Sequence, residues 1–142
     1  MKFILVIFLS LTFLFSKNFD EDFSYLKSEF LKLTPLEVKK FLYQYINKEY
    51  YLTHCFGCFY YRFSYGYDKN EFYINVWQNG NNPTMNKFKN SAEKLLCFDP
   101  AFKASLVSSN IDITFTLIQE NGIKRIYKYN RNVTPACTLI RR

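Results

Sequence analysis

From position 59 to position 67 the chain alternates. Phe59, Tyr61, Phe63, Tyr65 and Tyr67 share one face of an extended segment, and Tyr60, Arg62, Ser64 and Gly66 share the other. A period of two with aromatic enrichment predicts a strand. Asp68-Lys69-Asn70 supplies turn chemistry, because short polar side chains bond the local backbone. A second strand follows, with Phe72, Ile74 and Val76 on one face and Tyr73, Asn75 and Trp77 on the other. Asn79-Gly80-Asn81-Asn82-Pro83 stops it, and Pro83 suits the first turn of a helix. The period then changes: Met85, Phe88, Ala92, Leu95 and Leu96 fall on one helical face, with Lys87, Lys89, Asn90, Glu93 and Lys94 toward water. A two-stranded hairpin is marginal by itself, so this helix is expected to cover it.

The flanking segments read in the same terms. Asp20 to Leu33 predicts a helix with Phe23, Leu26 and Phe30 on one side and an acidic start, Asp20-Glu21-Asp22, where helix amides are partly positive. Thr34-Pro35-Leu36-Glu37 predicts a second helix, opened by a capping box with proline at its first position. Its apolar stripe is Val38, Phe41, Leu42, Tyr45 and Ile46, and Lys39, Lys40, Gln44 and Lys48 are expected to face water. After the third helix, Phe98-Asp99-Pro100-Ala101-Phe102 reads as an exit and turn, and Asp99 to Asn110 as a loop. Ile111, Ile113, Phe115 and Leu117 alternate with Asp112, Thr114 and Thr116. Asn121-Gly122 predicts a type I′ hairpin turn into a return strand over Ile123 to Tyr129. A last short strand is expected at Ala136 to Ile140. The fold class is therefore α+β, in the order α-β-β-α-β-β, with two or three helices packed on an antiparallel sheet of three to five strands.

The first sixteen residues, MKFILVIFLSLTFLFS, change the picture of compartment. One lysine precedes an apolar run too short to span a bilayer, which needs about 20 apolar residues, and the run ends on a small residue, Ser16. This is the pattern of a secretory signal. Residues 1–16 are read as a signal peptide and 17–142 as one domain; retention of the run as a membrane anchor is the alternative. The formal charge is +7 and falls to +6 without Lys2. A basic surface favours acidic partners, including anionic envelope components. Export argues against nucleic acid, as does the lack of an RNA-recognition strand signature.

Export also bears on the cysteines, Cys55, Cys58, Cys97 and Cys137. In an oxidising compartment they point to disulfides, each contributing roughly 2–4 kcal/mol. Four cysteines allow three pairings, and spacing does not choose among them. Cys55-Phe56-Gly57-Cys58 has the spacing of a thiol–disulfide oxidoreductase pair, but it lies between a helix end and a strand, not before a helix N-terminus that would stabilise a thiolate. His54 with Cys55, Cys58 and Cys97, one imidazole and three thiols, suggests a tetrahedral zinc site, against which stands the tendency of those thiols to oxidise. His54 is the only histidine, and no carboxylates pair as general acid and base. Neither catalytic residues nor a cofactor or metal is assigned.

Aromatic residues make up 20% of the chain, with 12 Tyr and 16 Phe, more than a small core holds. Tyr60, Arg62, Tyr73 and Trp77 lie opposite the apolar series of the two strands. Tyrosine, tryptophan and arginine carry much of the binding energy at protein surfaces, so these four are the candidate protein-binding surface.

The order helix, strand, strand, helix, strand, with Val76-Trp77-Gln78-Asn79-Gly80-Asn81-Asn82-Pro83 leading into a helix that ends Ser91-Ala92-Glu93-Lys94-Leu95, resembles the C-terminal periplasmic domain of the TolA/TonB group. The resemblance covers about Val38 to Ile118. The chain departs from that group in lacking a Tyr-Pro near its start, and its helix cysteine, Cys97, stands at the far end. The resemblance implies a fold and a protein-binding habit in the cell envelope, not energy transduction.

Overall fold

The computed structural model describes residues 19–46, 60–78 and 85–140, and the side chains of residues 62–78 and 87–140 within the latter two stretches. The signal-like run, the His54/Cys55/Cys58 segment and the Asn79–Pro83 loop lie outside the described residues, as do the side chains of Tyr60, Tyr61 and Met85.

Helix α1 spans Phe19–Phe30 and buries Asp22, Leu26 and Phe30 on one stripe. Thr34 then opens α2, Pro35–Tyr45, through the expected capping box. The Glu37 amide donates to Thr34 Oγ1 at 3.2 Å and the Thr34 amide donates to Glu37 Oε1 at 3.1 Å. These bonds hold the Glu37 carboxyl below the usual carboxylate range. Val38, Phe41 and Leu42 are buried as predicted.

Lys39 departs from the expectation. It is only 2% exposed, because the turn of the first hairpin folds over α2. Its ammonium donates to the Asp68 carbonyl at 2.6 Å, so the buried charge has a partner, as burial requires.

That hairpin joins β1, Tyr60–Tyr67, to β2, Glu71–Gln78. The pairing is antiparallel, with Phe63 opposite Val76 and Tyr67 opposite Phe72, and an irregularity between Tyr60 and Arg62. Asp68 Oδ1 accepts from the amides of Asn70 and Glu71 at 2.7 and 2.9 Å. Those bonds close the turn and lower the Asp68 carboxyl.

Helix α3, Met85–Phe98, buries Phe88, Ala92, Leu95 and Leu96. The segment read as a loop is in fact a further helix, α4, Pro100–Ser108. Asp99 is its N-cap: Oδ1 accepts from the amides of Ala101 and Phe102 at 3.0 and 3.1 Å, with Pro100 in the first turn. The same carboxylate accepts from the Tyr45 hydroxyl at 2.9 Å, so one residue caps α4 and ties it to α2. Ala101, Phe102, Ala104, Ser105 and Leu106 are all buried. A helix enclosed on several sides shows no amphipathic period, and that is why its pattern does not stand out.

The paired helices α3 and α4 return the chain to the end from which β2 began. Strand β3, Asp112–Ile118, therefore pairs with β2 in parallel. Strand β4, Lys124–Tyr129, pairs antiparallel with β3. The four-stranded sheet runs β1-β2-β3-β4. The α+β class is as expected, but the sheet is mixed, since a long crossover permits the parallel pair that a short turn forbids.

Between β3 and β4, only Gly122 takes a positive φ, 85°. Its amide donates to the Gln119 carbonyl at 2.9 Å. This is a three-residue hairpin loop with a left-handed glycine, not the expected type I′ turn. The expected C-terminal strand is instead a 3₁₀ turn, Cys137–Leu139, held by a Cys97–Cys137 disulfide with Cα atoms 5.5 Å apart.

One core joins all of this. Leu26, Phe30, Phe41, Leu42, Phe88, Leu96 and Phe102 from the helices meet Phe63, Phe72, Ile74, Val76, Ile113, Phe115 and Leu117 from one face of the sheet.

Candidate interaction face

The alternation that buries Phe72, Ile74 and Val76 turns Tyr73, Asn75 and Trp77 to the opposite side. Register does the rest. Arg62 stands opposite Trp77, Trp77 opposite Ile118 and Ile118 opposite Lys124. A second row reads Ser64, Asn75, Thr116 and Ile126, and a third Gly66, Tyr73, Thr114 and Lys128. On this face Arg62, Lys124, Ile126 and Lys128 are exposed, and Tyr73, Asn75, Trp77, Thr116 and Ile118 are half-buried among their neighbours.

The guanidinium carbon of Arg62 lies 4.4 Å from the Trp77 ring centroid. At that distance the cation is attracted by the ring quadrupole, a contact worth about 0.5–1 kcal/mol where exposed. It also holds a flexible cation in one place. Tyr73 lies across Gly66, where a Cβ would collide with its phenol. Only glycine lets the ring lie so close to β1. Asn75 Nδ2 donates to Ser64 Oγ at 3.3 Å, fixing a polar group between the two aromatics.

The opposite end of the face is acidic. Asp68, Glu71 and Asp112 border a shallow polar hollow with Asn110 and Lys128. Each carboxylate there is engaged. Thr114 Oγ1 donates to Glu71 Oε2 at 2.7 Å, and Asn130 Nδ2 donates to Asp112 Oδ1 at 3.1 Å, with the Lys128 ammonium 3.9 Å away. Asp68 is occupied by its turn amides. Asp68 is thus a turn residue, as expected, while Asp99 caps α4 and Glu71 holds β2 to β3.

Of the predicted surface, the structure brings Arg62, Tyr73 and Trp77 onto one face, while the side chain of Tyr60 is outside the described residues. The residues that sequence reasoning missed are Ile118, Lys124, Ile126 and Lys128. Their alternation was legible, but their adjacency to Trp77 depends on the β2–β3 pairing, which no local signal specifies.

Among the cysteines, Cys97 and Cys137 are brought together, and Cys55 and Cys58 lie outside the described residues. The zinc set of His54, Cys55, Cys58 and Cys97 loses a ligand, because Cys97 Sγ is committed to a disulfide and a disulfide sulfur is not a thiolate donor. Among the described residues no group of three or more His, Cys, Asp or Glu is placed to hold a metal ion, and no helix is long and apolar enough to cross a membrane.

The site and fold together define an α+β domain with helices on one side of a mixed sheet and an aromatic–cationic face on the other. No protein-family model, curated protein or solved structure matches the chain.

Proposed function

We propose that the chain is an exported, non-enzymatic protein-binding domain of the bacterial cell envelope, with a TolA/TonB-like core. The observation that carries the reading is the Arg62–Trp77 stack beside Tyr73 on the sheet face away from the core. These side chains offer large contact area with polar tips at a small entropic cost of ordering. The Cys97–Cys137 bridge suits an oxidising compartment. Residues 1–16 are the signal that sends the chain there, and their retention would instead make it an anchored envelope component.

Two measurements test this. Mass spectrometry of the mature chain gives the first residue, expected just after Ser16. Cross-linking in intact envelopes should join the wild-type domain to a protein partner, and Trp77→Ala or Tyr73→Ala should remove the adduct while leaving the fold unchanged. An adduct indifferent to both substitutions refutes this surface.

A second reading has one observation in its favour. Pairing of Cys97 with Cys137 leaves Cys55 and Cys58 as the remaining two of four cysteines, the spacing used in thiol–disulfide exchange. Thiol titration against a redox buffer decides it: a Cys55–Cys58 bond that resists reduction rules out catalysis.

A further inference from the structure

The row Arg62, Trp77, Ile118, Lys124 crosses all four strands with a cation at each end and apolar side chains between. Three inter-strand steps separate the Arg62 and Lys124 backbones by about 14 Å, and the Arg62 guanidinium leans inward over Trp77. Below the row, Ile126 on β4 is 63% exposed, between Lys124 and Lys128. The carboxylates of Glu71 and Asp112 occupy the other end of the face, and one of the cations, Lys128, lies 3.9 Å from Asp112. Among the described residues, the positive charge of the face is therefore concentrated at the Arg62–Lys124 end.

From this we infer that the face recognises an acidic protein segment lying across the strands, with two acidic residues about 14 Å apart along its backbone and an apolar side chain between them. The inference rests on the binding function proposed above and names the chemistry of its partner. The carboxylates meet Arg62 and Lys124, and the apolar residue covers Ile118 beside the Arg62–Trp77 stack, with Ile126 at its flank. Glu71 and Asp112 repel an acidic segment displaced along the strands toward their end, so they fix which row it occupies. A base-stacking ligand is disfavoured, since Arg62 already occupies one face of the Trp77 ring.

Trp77 is the only tryptophan in the chain, so its fluorescence reports on this face directly. The probe is the blocked pentapeptide Glu-Thr-Ile-Thr-Glu, whose extended carboxylates stand four residues, about 14 Å, apart. It is titrated into the oxidised full-length domain at low salt, with amide shifts recorded in parallel by NMR. The expected result is a saturable emission change with shifts on the Arg62–Lys124 row, about tenfold weaker for the Gln-Thr-Ile-Thr-Gln peptide. The R62E/K124E variant should bind about tenfold more weakly, while R131E, an exposed charge off the row, should bind as wild type. Circular dichroism confirms that both variants fold.

Equal binding of the uncharged peptide, undiminished binding to R62E/K124E, or no saturable response up to several millimolar peptide overturns the inference. So does tighter binding of a single-stranded oligonucleotide, or a dimer that buries Trp77. The two readings separate cleanly. If Trp77→Ala abolishes the envelope adduct but the acidic peptide does not bind, the binding function stands and the acidic partner falls.

Discussion

Replacing both Cys97 and Cys137 with alanine tests how the fold is closed. The bridge joins positions separated by 40 residues, and the loop it encloses holds α4, β3 and β4. In the chain-entropy account, closing a loop of that length removes about 13 cal/mol/K from the unfolded ensemble, or about 4 kcal/mol at 25 °C. Cys97 is only 1% exposed at the last turn of α3, so loss of its sulfur adds a small packing term, about 1 kcal/mol. The double variant should therefore be destabilised by about 4–5 kcal/mol. For a domain of this size that lowers Tm by roughly 10–20 °C. Urea denaturation of oxidised wild type and double variant measures the difference, and the unfolded variant's larger exposure should raise the m-value. Peptide mapping without reductant establishes the parent bond. A change below 1 kcal/mol with the bond present in the parent would refute the loop-closure reasoning; a parent map joining Cys97 to Cys55 or Cys58 would refute the pairing itself.

Other outcomes follow from individual contacts. The Tyr129 hydroxyl is buried without a hydrogen-bond partner among the described residues, so Tyr129→Phe should leave stability unchanged or raise it by about 1 kcal/mol in denaturant titration. Burial chiefly, then the Glu93 charge and Tyr127, pushes the Tyr129 phenol upward. The folded state thus keeps a proton that the unfolded chain releases near pH 10. That stability is present below about pH 10 and is lost as pH rises above it, and Tyr129→Phe should flatten the alkaline limb relative to wild type. Asp99→Ala removes the α4 cap and the acceptor for Tyr45, and should cost about 1–3 kcal/mol. A double-mutant cycle with Tyr45→Phe should show a coupling of at least about 0.5 kcal/mol, and strict additivity would remove the α2–α4 tie from the account. Gly66→Ala should displace the Tyr73 ring with little change in global stability; unchanged Tyr73 ring shifts by NMR would contradict the close packing.

Much of the candidate face was legible as a list and not as a surface. Period-two alternation put Arg62, Tyr73 and Trp77 opposite the core, because side-chain direction in a strand depends only on parity. It could not place Lys124 beside them, since that neighbour is reached through two more strand pairings and a crossover. The same limit explains Lys39, which local periodicity assigned to solvent and the folded-over hairpin turn buried.

What the amino-acid sequence determined by itself is the set of local elements whose signals lie within a few residues: the Thr34/Glu37 capping box, the Asp68 turn, the α3 stripe and the alternating strands. In these, short-range hydrogen bonds and periodic burial act on neighbouring positions. Tertiary structure alone decided the parallel β2–β3 pair, the enclosed helix α4, the choice of Cys137 as partner for Cys97 and the final 3₁₀ turn. Each depends on which distant segments share the core, and the free energy that selects among them is the burial of apolar surface, which has no preferred sequence separation.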